Sequence, residues 1–549
     1  ASSGHICLNH WLSRSETERP VLALHNMDMR KPTVRRAKDQ NCYAWLSRLA
    51  RRLFVISLSG IFISQAAYAV TLRATGGGNI VALLHPFSSL PQGVINPHAM
   101  IHDMLFYVST DGTLEPGLAL SAEPTSDTTW QINLRPNVRY SNGRAFTAHA
   151  VVKTIEYLKS DAARRYVISA ETRSIKSVRA IDDVTVEVET FVPDVLLPRR
   201  FGTIIMPEPW LYEELGPDAF SMAPIGTGSY VVEDWRLDAQ RPLLKGNQDS
   251  WRPPVEIDTV DIRIVKDAPS QVQALLSGLV DVGYNFGIVE IDALREQGFR
   301  IVTKPGGQVA SLALANRDPT SPFADQRVRQ ALNYAVDKQA IADIIMMGTT
   351  TAAGQAGLPG MAGYNPNISP YPYDPERARA LLADAGYGSG LSFQAEVLIT
   401  GILEAPTMYQ KVAQDLAAVG VSMELNPLQG QQWIRKYFTG DWGDADAISA
   451  TWNAASYWDV IRAIEIFSCK KTGAFFCEPD LMPMIDASHG MFDPEERSRT
   501  LQDLSQRMHD LAPALFLVHI VDVIAASDRL GELPFRHKQL AVDKLRMAR

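Results

Sequence analysis

The chain has 549 residues, of which 46% are hydrophobic and 21% are charged, a composition typical of a globular protein with two or three compact regions. This composition excludes disordered and fibrous classes. The formal net charge is -8, and it becomes about -14 when the first 69 residues, which carry about +6, are set aside. Because nucleic acids require a basic face, we expect no nucleic-acid partner.

The first 69 residues have the order of a secretory signal. The basic pair Arg51 and Arg52 precedes the apolar run LFVISLSGIFI, and small residues follow up to Ala69. Eleven apolar residues are too few to span a bilayer. We therefore expect residues 1–69 to be a leader and signal peptide, cleaved after Ala69, and the mature protein to be periplasmic. The paired arginines leave both the Sec and the twin-arginine export routes open.

Two cysteines follow this leader, at Cys469 and Cys477. In an oxidising compartment a pair eight residues apart favours a single disulfide bond, whereas a zinc site needs three or four ligands. Among the histidines outside the leader only His98 and His102 share helical spacing, and no acidic ligands are grouped beside them. We therefore expect no metal site and no cofactor.

The first half of the mature chain reads as short strands mixed with helices. The stretch 129–140 alternates like a strand, 146–160 is typical of a helix capped by Thr147, and 177–190 predicts a hairpin that turns at Asp182 and Asp183. A strand at 260–265, a helix capped near Asp267 and a strand at 280–284 then make a βαβ unit.

A similar set of elements follows from about residue 298. Strand SLALAN precedes one long helix, DQRVRQALNYAVDKQAIADIIM, and a second helix begins at Asp374 and ends at Gly386. Strand SFQAEVLIT, helix MYQKVAQDLAAVG and strand VSMELNPL come next. The pattern predicts two α/β lobes joined in sequence, a fold class that places ligands between lobes or at strand ends.

Catalytic signals are weak in this sequence. It contains no GxxxxGK[ST] loop, no GxSxG elbow and no HExxH pair, and we find no nucleophile that can be matched with a base. What stands out instead is ATWNAASYWD, in which aromatic residues alternate with polar ones. Such a mixture suits a pocket that stacks a ligand and orients it with a few polar groups.

Several motifs, taken together and in order, resemble the bacterial extracellular solute-binding proteins of family 5, the dipeptide- and oligopeptide-binding class of ABC importers. They are DGTLEPGLALS, LRPNVRYSNGRAFTAHAVV, APIGTGSYVVEDW, ALLSGLVDV, QRVRQALNYAVDKQAI, YPYDPERARALLADAGY and LFLVHIVDVIAASDRL. The resemblance implies a mixed α/β (α+β), two-lobed periplasmic binding protein fold of class C. It implies a first lobe at 70–300 with an extra subdomain at about 112–222, a second lobe at 301–510, and a return to the first lobe at 511–549.

The same resemblance implies a monomer that is not an enzyme. It would close on a peptide-like or other polar small solute and deliver it to an inner-membrane ABC permease with its ATPase. We expect ligand contacts from an early loop, from the segment before the helix MYQKVAQDLAAVG, and from ATWNAASYWD. The candidate residues are Ser88, Ser89, Glu404, Trp452, Asn453, Ser456, Tyr457 and Asp459.

The resemblance also narrows the ligand. Dipeptide-binding relatives hold the peptide amine with an aspartate shortly after a Trp, and that position falls near Ala455 here. They hold the peptide carboxylate with an arginine in the segment that matches EVLITGILEAPTMYQ, which contains Glu404 and no arginine. Since a lost charge partner costs about 3–5 kcal/mol, we do not expect a free dipeptide to bind. Opines, glutathione-like compounds and amino-sugar conjugates fit better.

Two other functions stay open at this stage. One is a metallophore, nickel-complex or haem binder of the same fold, which would hold a chelate through its organic part. The other is an exported hydrolase on this scaffold, which would need a nucleophile and a base in contact.

Overall fold

A computed structural model describes residues 69–548, except 77–84, 88–93, 110, 237, 240, 266, 285, 400, 472 and 537–538. Residues Ala69–Arg549 form one compact unit. Ser88 and Ser89, and the leader before Ala69, lie outside the described residues.

The elements up to residue 300 alternate between strands and helices. They are β1 Thr71–Gly76, α1 Pro97–Ile101, β2 Phe106–Val108, β3 Leu114–Pro116, β4 Ala119–Ser126, β5 Thr129–Leu134, α2 Ala148–Lys159, β6 Ile175–Asp182, β7 Thr185–Thr190, α3 Leu197–Phe201, α4 Pro209–Met222, β8 Tyr230–Asp234, β9 Leu243–Gly246, β10 Thr259–Ile264, α5 Ala268–Leu276, β11 Val282–Tyr284 and α6 Glu290–Glu296. Short 3-10 turns lie at Asp161–Ala163 and Val167–Thr172.

The elements after residue 300 begin and end with long strands. They are β12 Arg300–Leu314, α7 Gln326–Ala335, α8 Lys338–Ala340, α9 Pro375–Asp384, β13 Leu391–Leu398, α10 Ala405–Ala417, β14 Val421–Leu428, α11 Gly430–Thr439, β15 Ala447–Asn453, α12 Ile461–Ile466, α13 Met482–His489, α14 Pro494–Leu511, β16 Ala514–Ala526, β17 Phe535–Arg536 and β18 Gln539–Leu540. Short 3-10 turns lie at Pro322–Ala324, Pro479–Leu481 and Val542–Lys544, and a π turn at Ile341–Ile345 follows α8.

One ten-stranded sheet runs through the molecule in the order β14-β13-β15-β12-β16-β11-β1-β10-β9-β8. The long strands β12 and β16 are antiparallel neighbours in its middle. We call β14, β13 and β15, with the adjoining parts of β12 and β16, the β13 half of the sheet. We call β11, β1, β10, β9 and β8, with the remaining parts of β12 and β16, the β1 half. Both long strands therefore belong to both halves.

The crossing between the halves is marked by an interruption in the β12–β16 ladder. Pro305 pairs with Val521 and Val309 pairs with His519, so three residues of β12 stand opposite one residue of β16. This is a bulge, which bends a strand locally. Gly307 within it has φ +68°, a conformation that favours glycine.

A second sheet, β4-β5-β7-β6, is antiparallel and stands apart from the large one. Helices α2 and α4 pack against it, and its buried residues form a core of their own around Trp130, Ile155 and Tyr212. The alternating burial of β7 reflects its sequence TVEVET, in which Val186 and Val188 face this core. The stretch thus forms a separate module on the molecule.

Most predicted elements are confirmed. Asp374 caps α9 by accepting from the Arg377 N–H at 2.9 Å, and Gly386 after it has φ +90°. The βαβ prediction also holds, because β10 and β11 both run parallel to β1. Thr147 does sit at the start of α2, but its side chain makes no capping hydrogen bond.

The single long helix predicted over 325–346 is wrong. Helix α7 ends at Val336, whose φ of -102° and ψ of 124° are extended, and Asp337 then caps α8 by accepting from the Ala340 N–H. The first part of β12 was also missed, because Pro305, Gly306 and Gly307 are typical of a turn rather than of a strand.

Candidate ligand-binding site

The candidate site lies where the carboxyl ends of the parallel strands of both halves meet. In the β13 half, β13 runs parallel to both β14 and β15, so all three end at one edge. In the β1 half, β1, β10 and β11 likewise end together. Ligands of open α/β sheets bind outside the carboxyl ends of the strands. The loops that follow these strands are therefore the place to look for a site.

A cavity of about 150 Å³ occupies this place. Its lining comes from the segment after β11, from the segment between β13 and α10, and from the crossing parts of β12 and β16. The lining residues are Val94, Tyr284, Phe286, Ile288, Gln308, Ala310, Met346, Gly401, Ile402, Leu403, Glu404, Val518, Ile520, Val521, Asp522 and Val523. Both halves of the sheet thus contribute walls to one pocket.

Glu404 is the predicted site residue that this cavity contains. It is half-buried directly before α10, and its Oε1 accepts from the backbone N–H of Ile288 at 2.9 Å. Ile288 follows β11 of the β1 half, so this hydrogen bond joins the two halves across the cavity. Of the predicted ligand residues that the structure describes, only Glu404 lines the cavity.

Trp452 lies on the other face of the sheet. Strand β12 sends Ala310 and Leu312 to the core cluster that adjoins the cavity, and Val309 to the cluster that contains Trp452. The indole is fully buried, stacks on Phe467 at 4.2 Å between ring centroids, and donates its N–H to Ser311 Oγ at 3.0 Å.

Tyr457 is the centre of a closely packed polar contact, which we call the packed interface. It joins the segment after β15 to residues beside the four-stranded sheet. Its members are Glu171, Asp194, Arg199, Arg200, Tyr457 and Arg462. Arg200 Nη1 donates to the Tyr457 hydroxyl at 2.9 Å, and that hydroxyl donates to the Glu171 carboxylate. Burial, together with the Glu171 charge, raises the pKa of Tyr457 well above its usual value, so the hydroxyl keeps its proton.

Asp459 is fully buried and already has a charged partner. Its Oδ2 accepts from Arg497 Nη1 at 2.6 Å, and its Oδ1 accepts from the Ile461 N–H at 2.9 Å. Asn453 is half-buried and accepts from the Ala455 N–H, while Ser456 is buried. As ligand contacts, all these residues stay predictions.

Sequence reasoning missed most of the cavity. Phe286 and Ile288 are apolar residues of a loop, and Gln308 stands in a stretch that was not predicted as strand. Asp522 gave the clearest available signal, because it is the one acidic residue inside the apolar run VHIVDVIAA. A carboxylate inside such a run indicates either a partner or a site.

His519 marks the hinge side of the cavity region. It belongs to β16 at the crossing, its Nδ1 lies 3.1 Å from Thr351 Oγ1, and Thr350 Oγ1 donates to its carbonyl at 2.6 Å. Burial lowers the pKa of His519 to about 4, so the ring is neutral at pH 7.

Three further observations concern the chemistry of the described part of the chain. Cys469 and Cys477 form a disulfide bond, as predicted. No three or more His, Cys, Asp or Glu side chains among the described residues are grouped so that they could hold a metal ion. Within the same residues, no helix combines the length and the apolar character needed to cross a bilayer.

Solved structures with this architecture are two-lobed periplasmic binding proteins. The ABC transporter-associated periplasmic binding protein DppA of Helicobacter pylori, in complex with the peptide STSA, matches with a TM-score of 0.72 at 21% identity, covering 87% of this chain and 98% of that one. The present chain therefore has the two-lobed, mixed α/β fold that its sequence implied.

The sequence comparison defines the family. Residues 113–474 match the bacterial extracellular solute-binding proteins, family 5 (middle region), and the chain belongs to this family. It is 25% identical to the nickel-binding periplasmic protein of Escherichia coli (strain K12), over 89% of this chain and 97% of the relative. It is 26% identical to heme-binding protein A of Haemophilus influenzae, over 77% and 81%. The family is one of solute-binding proteins rather than of enzymes.

Proposed function

We propose that this chain is the periplasmic substrate-binding subunit of an ABC importer. It captures a peptide-like or other polar small solute between two lobes, leaves it chemically unaltered, and presents it as a monomer to a membrane permease with its ATPase. The observation that carries the proposal is the cavity at the crossing of β12 and β16, whose walls come from both halves of the sheet. The ABC-associated relative with a bound peptide supports the assignment.

The proposed lobes follow the two halves of the sheet. We assign residues 70–300 to the first lobe, with an extra subdomain at about 112–222, and 301–510 to the second lobe, while 511–549 returns to the first. The four-stranded sheet at 119–190 supports the subdomain, and the bulge between Pro305 and Val309 supports a hinge near the first boundary.

Closure would follow from contacts with both lobes. A solute that touches Glu404 on one side and the Phe286–Ile288 segment on the other binds the closed state better than the open one. Only such a difference in affinity shifts the population between the two states. Hinge residues that absorb the change in backbone angles are available at Gly306 and Gly307.

The proposed ligand is a peptide-like or polar solute other than a free dipeptide. The segment 396–410 offers Glu404 where dipeptide-binding relatives carry an arginine, so a free carboxylate would meet a like charge. Candidates are opines, glutathione-like compounds and amino-sugar conjugates. Ser88, Ser89, Trp452, Asn453, Ser456, Tyr457 and Asp459 stay candidate contacts for an opened form of the protein.

A second candidate function is the binding of a nickel complex, another metallophore or haem. Its support is the pair of relatives named for nickel and heme. Such a complex would be held through its organic part. Metal analysis of protein purified without chelators decides between the two: stoichiometric nickel or iron favours this candidate, and its absence from ligand-loaded protein excludes it.

Export is part of the same proposal. The leader at 1–69 would direct the chain across the inner membrane and be removed after Ala69. Expression in a bacterial host, with N-terminal sequencing of the periplasmic fraction, tests this directly. A mature protein that begins at Val70 is the expected result, and a product retained with its leader in the cytoplasm would contradict it.

The central experiment identifies the cargo. Native mass spectrometry of the mature protein should find one bound small molecule, and its removal by mild denaturation and refolding should increase the radius of gyration measured by X-ray scattering. Adding the molecule back should restore the compact form and raise the melting temperature, because ligand at 100 times its Kd adds about 2.7 kcal/mol. A protein that binds no solute and shows one fixed radius of gyration would overturn the proposal.

A further inference from the structure

The cavity has a one-sided charge. Among its lining residues Glu404 and Asp522 are acidic, and none is Lys, Arg or His. Glu404 uses Oε1 for the Ile288 N–H, and its other carboxylate oxygen has no hydrogen-bond partner among the described residues. Asp522, which is half-buried, makes no hydrogen bond or ion pair with the described part of the chain. The protein thus leaves two carboxylates of this pocket unneutralised.

Nearby cations are engaged elsewhere. Lys304 stands directly opposite Asp522 in the β12–β16 ladder, yet its ammonium lies 3.6 Å from the ring centroid of Phe535. The sequence stretches 77–84 and 88–93, GGNIVALL and SSLPQG, carry no Lys, Arg or His. Neither source supplies a positive charge to the pocket.

The remaining walls are apolar. Phe286, Ile288, Met346, Val518 and Val523 are all buried residues of the core cluster that the cavity adjoins. Low-dielectric walls strengthen the attraction between a carboxylate and a counter-charge, because less water screens the pair. The pocket therefore favours a ligand that combines a cation with apolar surface.

The residues beside the pocket extend this apolar character to the surface. Leu403, which lines the cavity, is 45% exposed, and Val289 and Met347, which directly follow the lining residues Ile288 and Met346, are 71% and 46% exposed. The volume of about 150 Å³ also far exceeds the roughly 15 Å³ that a single water needs. By contrast, the cavity beside Arg252 and Arg536 holds only about 20 Å³.

We infer that this pocket takes a solute bearing a positively charged amine on an apolar body, with the ammonium at Glu404 and Asp522 and the apolar part against Phe286, Met346 and Leu403. This inference rests on the proposed function and specifies the chemical class of its ligand. It also accounts for the glutamate at a position where an arginine would hold a carboxylate.

Three probes with one shared apolar body test the charge requirement. They are 3-methylbutylamine, 3-methylbutan-1-ol and 4-methylpentanoate, measured by thermal shift and calorimetry on the full mature chain after removal of any co-purified solute. We expect the amine to bind at least tenfold more tightly than the alcohol, and the carboxylate to bind least. The advantage of the amine should shrink as salt is raised, since screening weakens charge pairs.

Two variants separate the pocket from general surface charge. Glu404→Gln keeps an oxygen that can accept from the Ile288 N–H but removes the charge, so it should weaken the amine at least tenfold and leave the alcohol unchanged. Glu376→Gln, an exposed acid on α9, is the matched control and should change neither. Circular dichroism and melting temperature of each variant confirm that it is folded.

The outcomes separate this inference from the proposed function. If the alcohol or the carboxylate binds as tightly as the amine, or if Glu404→Gln leaves amine binding intact, the inference is overturned. A neutral or anionic co-purified solute that binds while the amine does not also overturns it, although the proposed function then stands. If no probe and no co-purified solute binds, the proposed function fails together with it.

Discussion

On one face of the ten-stranded sheet the meeting of the two halves leaves a cavity of about 150 Å³, while on the other face the segment after β15 is closely packed and its charges are paired. Both regions were predicted as ligand contacts, and each contains an acidic residue among apolar ones. Glu404 in the cavity has a free carboxylate oxygen, whereas Asp459 on the packed face is held by Arg497. The comparison teaches that the partner of a carboxylate, rather than its sequence surroundings, decides whether it can bind a ligand.

The difference has a simple physical origin. A buried charge is tolerated only when it is paired and hydrogen-bonded, so the fully buried Asp459 requires Arg497 in every molecule. Glu404 is half-buried beside a pocket, where water can solvate it until a ligand arrives. Four variants can break or sharpen this comparison.

The largest expected effect is that of Asp459→Ala. It leaves the Arg497 guanidinium buried without its carboxylate, which should lower the free energy of unfolding by about 3–5 kcal/mol. Urea unfolding followed by circular dichroism measures this loss. Glu404→Gln is the matched variant and should cost less than about 0.5 kcal/mol without ligand. Equal costs for the two variants would erase the distinction between the two carboxylates.

The second effect concerns Gly307 at the crossing. A Cβ there would lie 2.7 Å from the Cβ of Ala455, and the residue has φ +68°. Gly278 has nearly the same φ, +66°, but open space around its Cα, so Gly278→Ala should cost only the conformational strain of about 1–2 kcal/mol. We expect Gly307→Ala to cost about 1–3 kcal/mol more in urea unfolding, because the packed segment must move. A cost no larger than that of the control would show that this segment yields freely.

The third effect tests the packed interface. Tyr457→Phe removes the hydroxyl that connects Arg200 with Glu171, and we expect a loss of about 1–3 kcal/mol in the free energy of unfolding. X-ray scattering should also show a larger radius of gyration, since this contact joins two separate regions. Tyr409→Phe removes another buried hydroxyl, which donates to the Ser311 carbonyl, and should leave the radius unchanged. An unchanged radius for Tyr457→Phe would mean that the contact does not restrain opening.

The smallest effect is a pH dependence from His519, which lies at the crossing between the two faces. Burial lowers its folded pKa to about 4, below its unfolded value near 6.5, so the unfolded chain binds the extra proton between these pH values. This contribution to stability is therefore complete above pH 6.5 and is lost as the pH falls toward 4, by about 1 kcal/mol for a partly exposed ring. His519→Gln should flatten this part of the curve of melting temperature against pH. A curve identical to that of the parent protein would contradict the assignment.

Much of the fold could be predicted from the sequence, because local signals and tertiary packing agree there. Helix α9 has its cap and its terminal glycine in the sequence, and the disulfide joins cysteines only eight residues apart. The helix over 325–346 failed because its composition favours helix throughout, while the break at Val336 and Asp337 comes from packing and capping.

The site was less predictable, for reasons of distance along the chain. Asp459 and Arg497 are 38 positions apart, and nothing local to ATWNAASYWD announces that partner. Trp452 likewise looks like a stacking platform until β12 and β16 place Ser311 and Phe516 against it. Glu404 could be singled out because it replaces an expected arginine in a short, ordered segment, which is information that a sequence carries directly.

The bulge between β12 and β16 has one more consequence, for observing the protein at work. On either side of Gly306–Gln308 both long strands keep their ladder bonds, so separation of the halves disturbs pairing chiefly at this short gap. Backbone deuterium uptake there should rise with each excursion of the halves and slow when they are held together. The protein thus carries an internal clock for its opening that can be read before its cargo has a name.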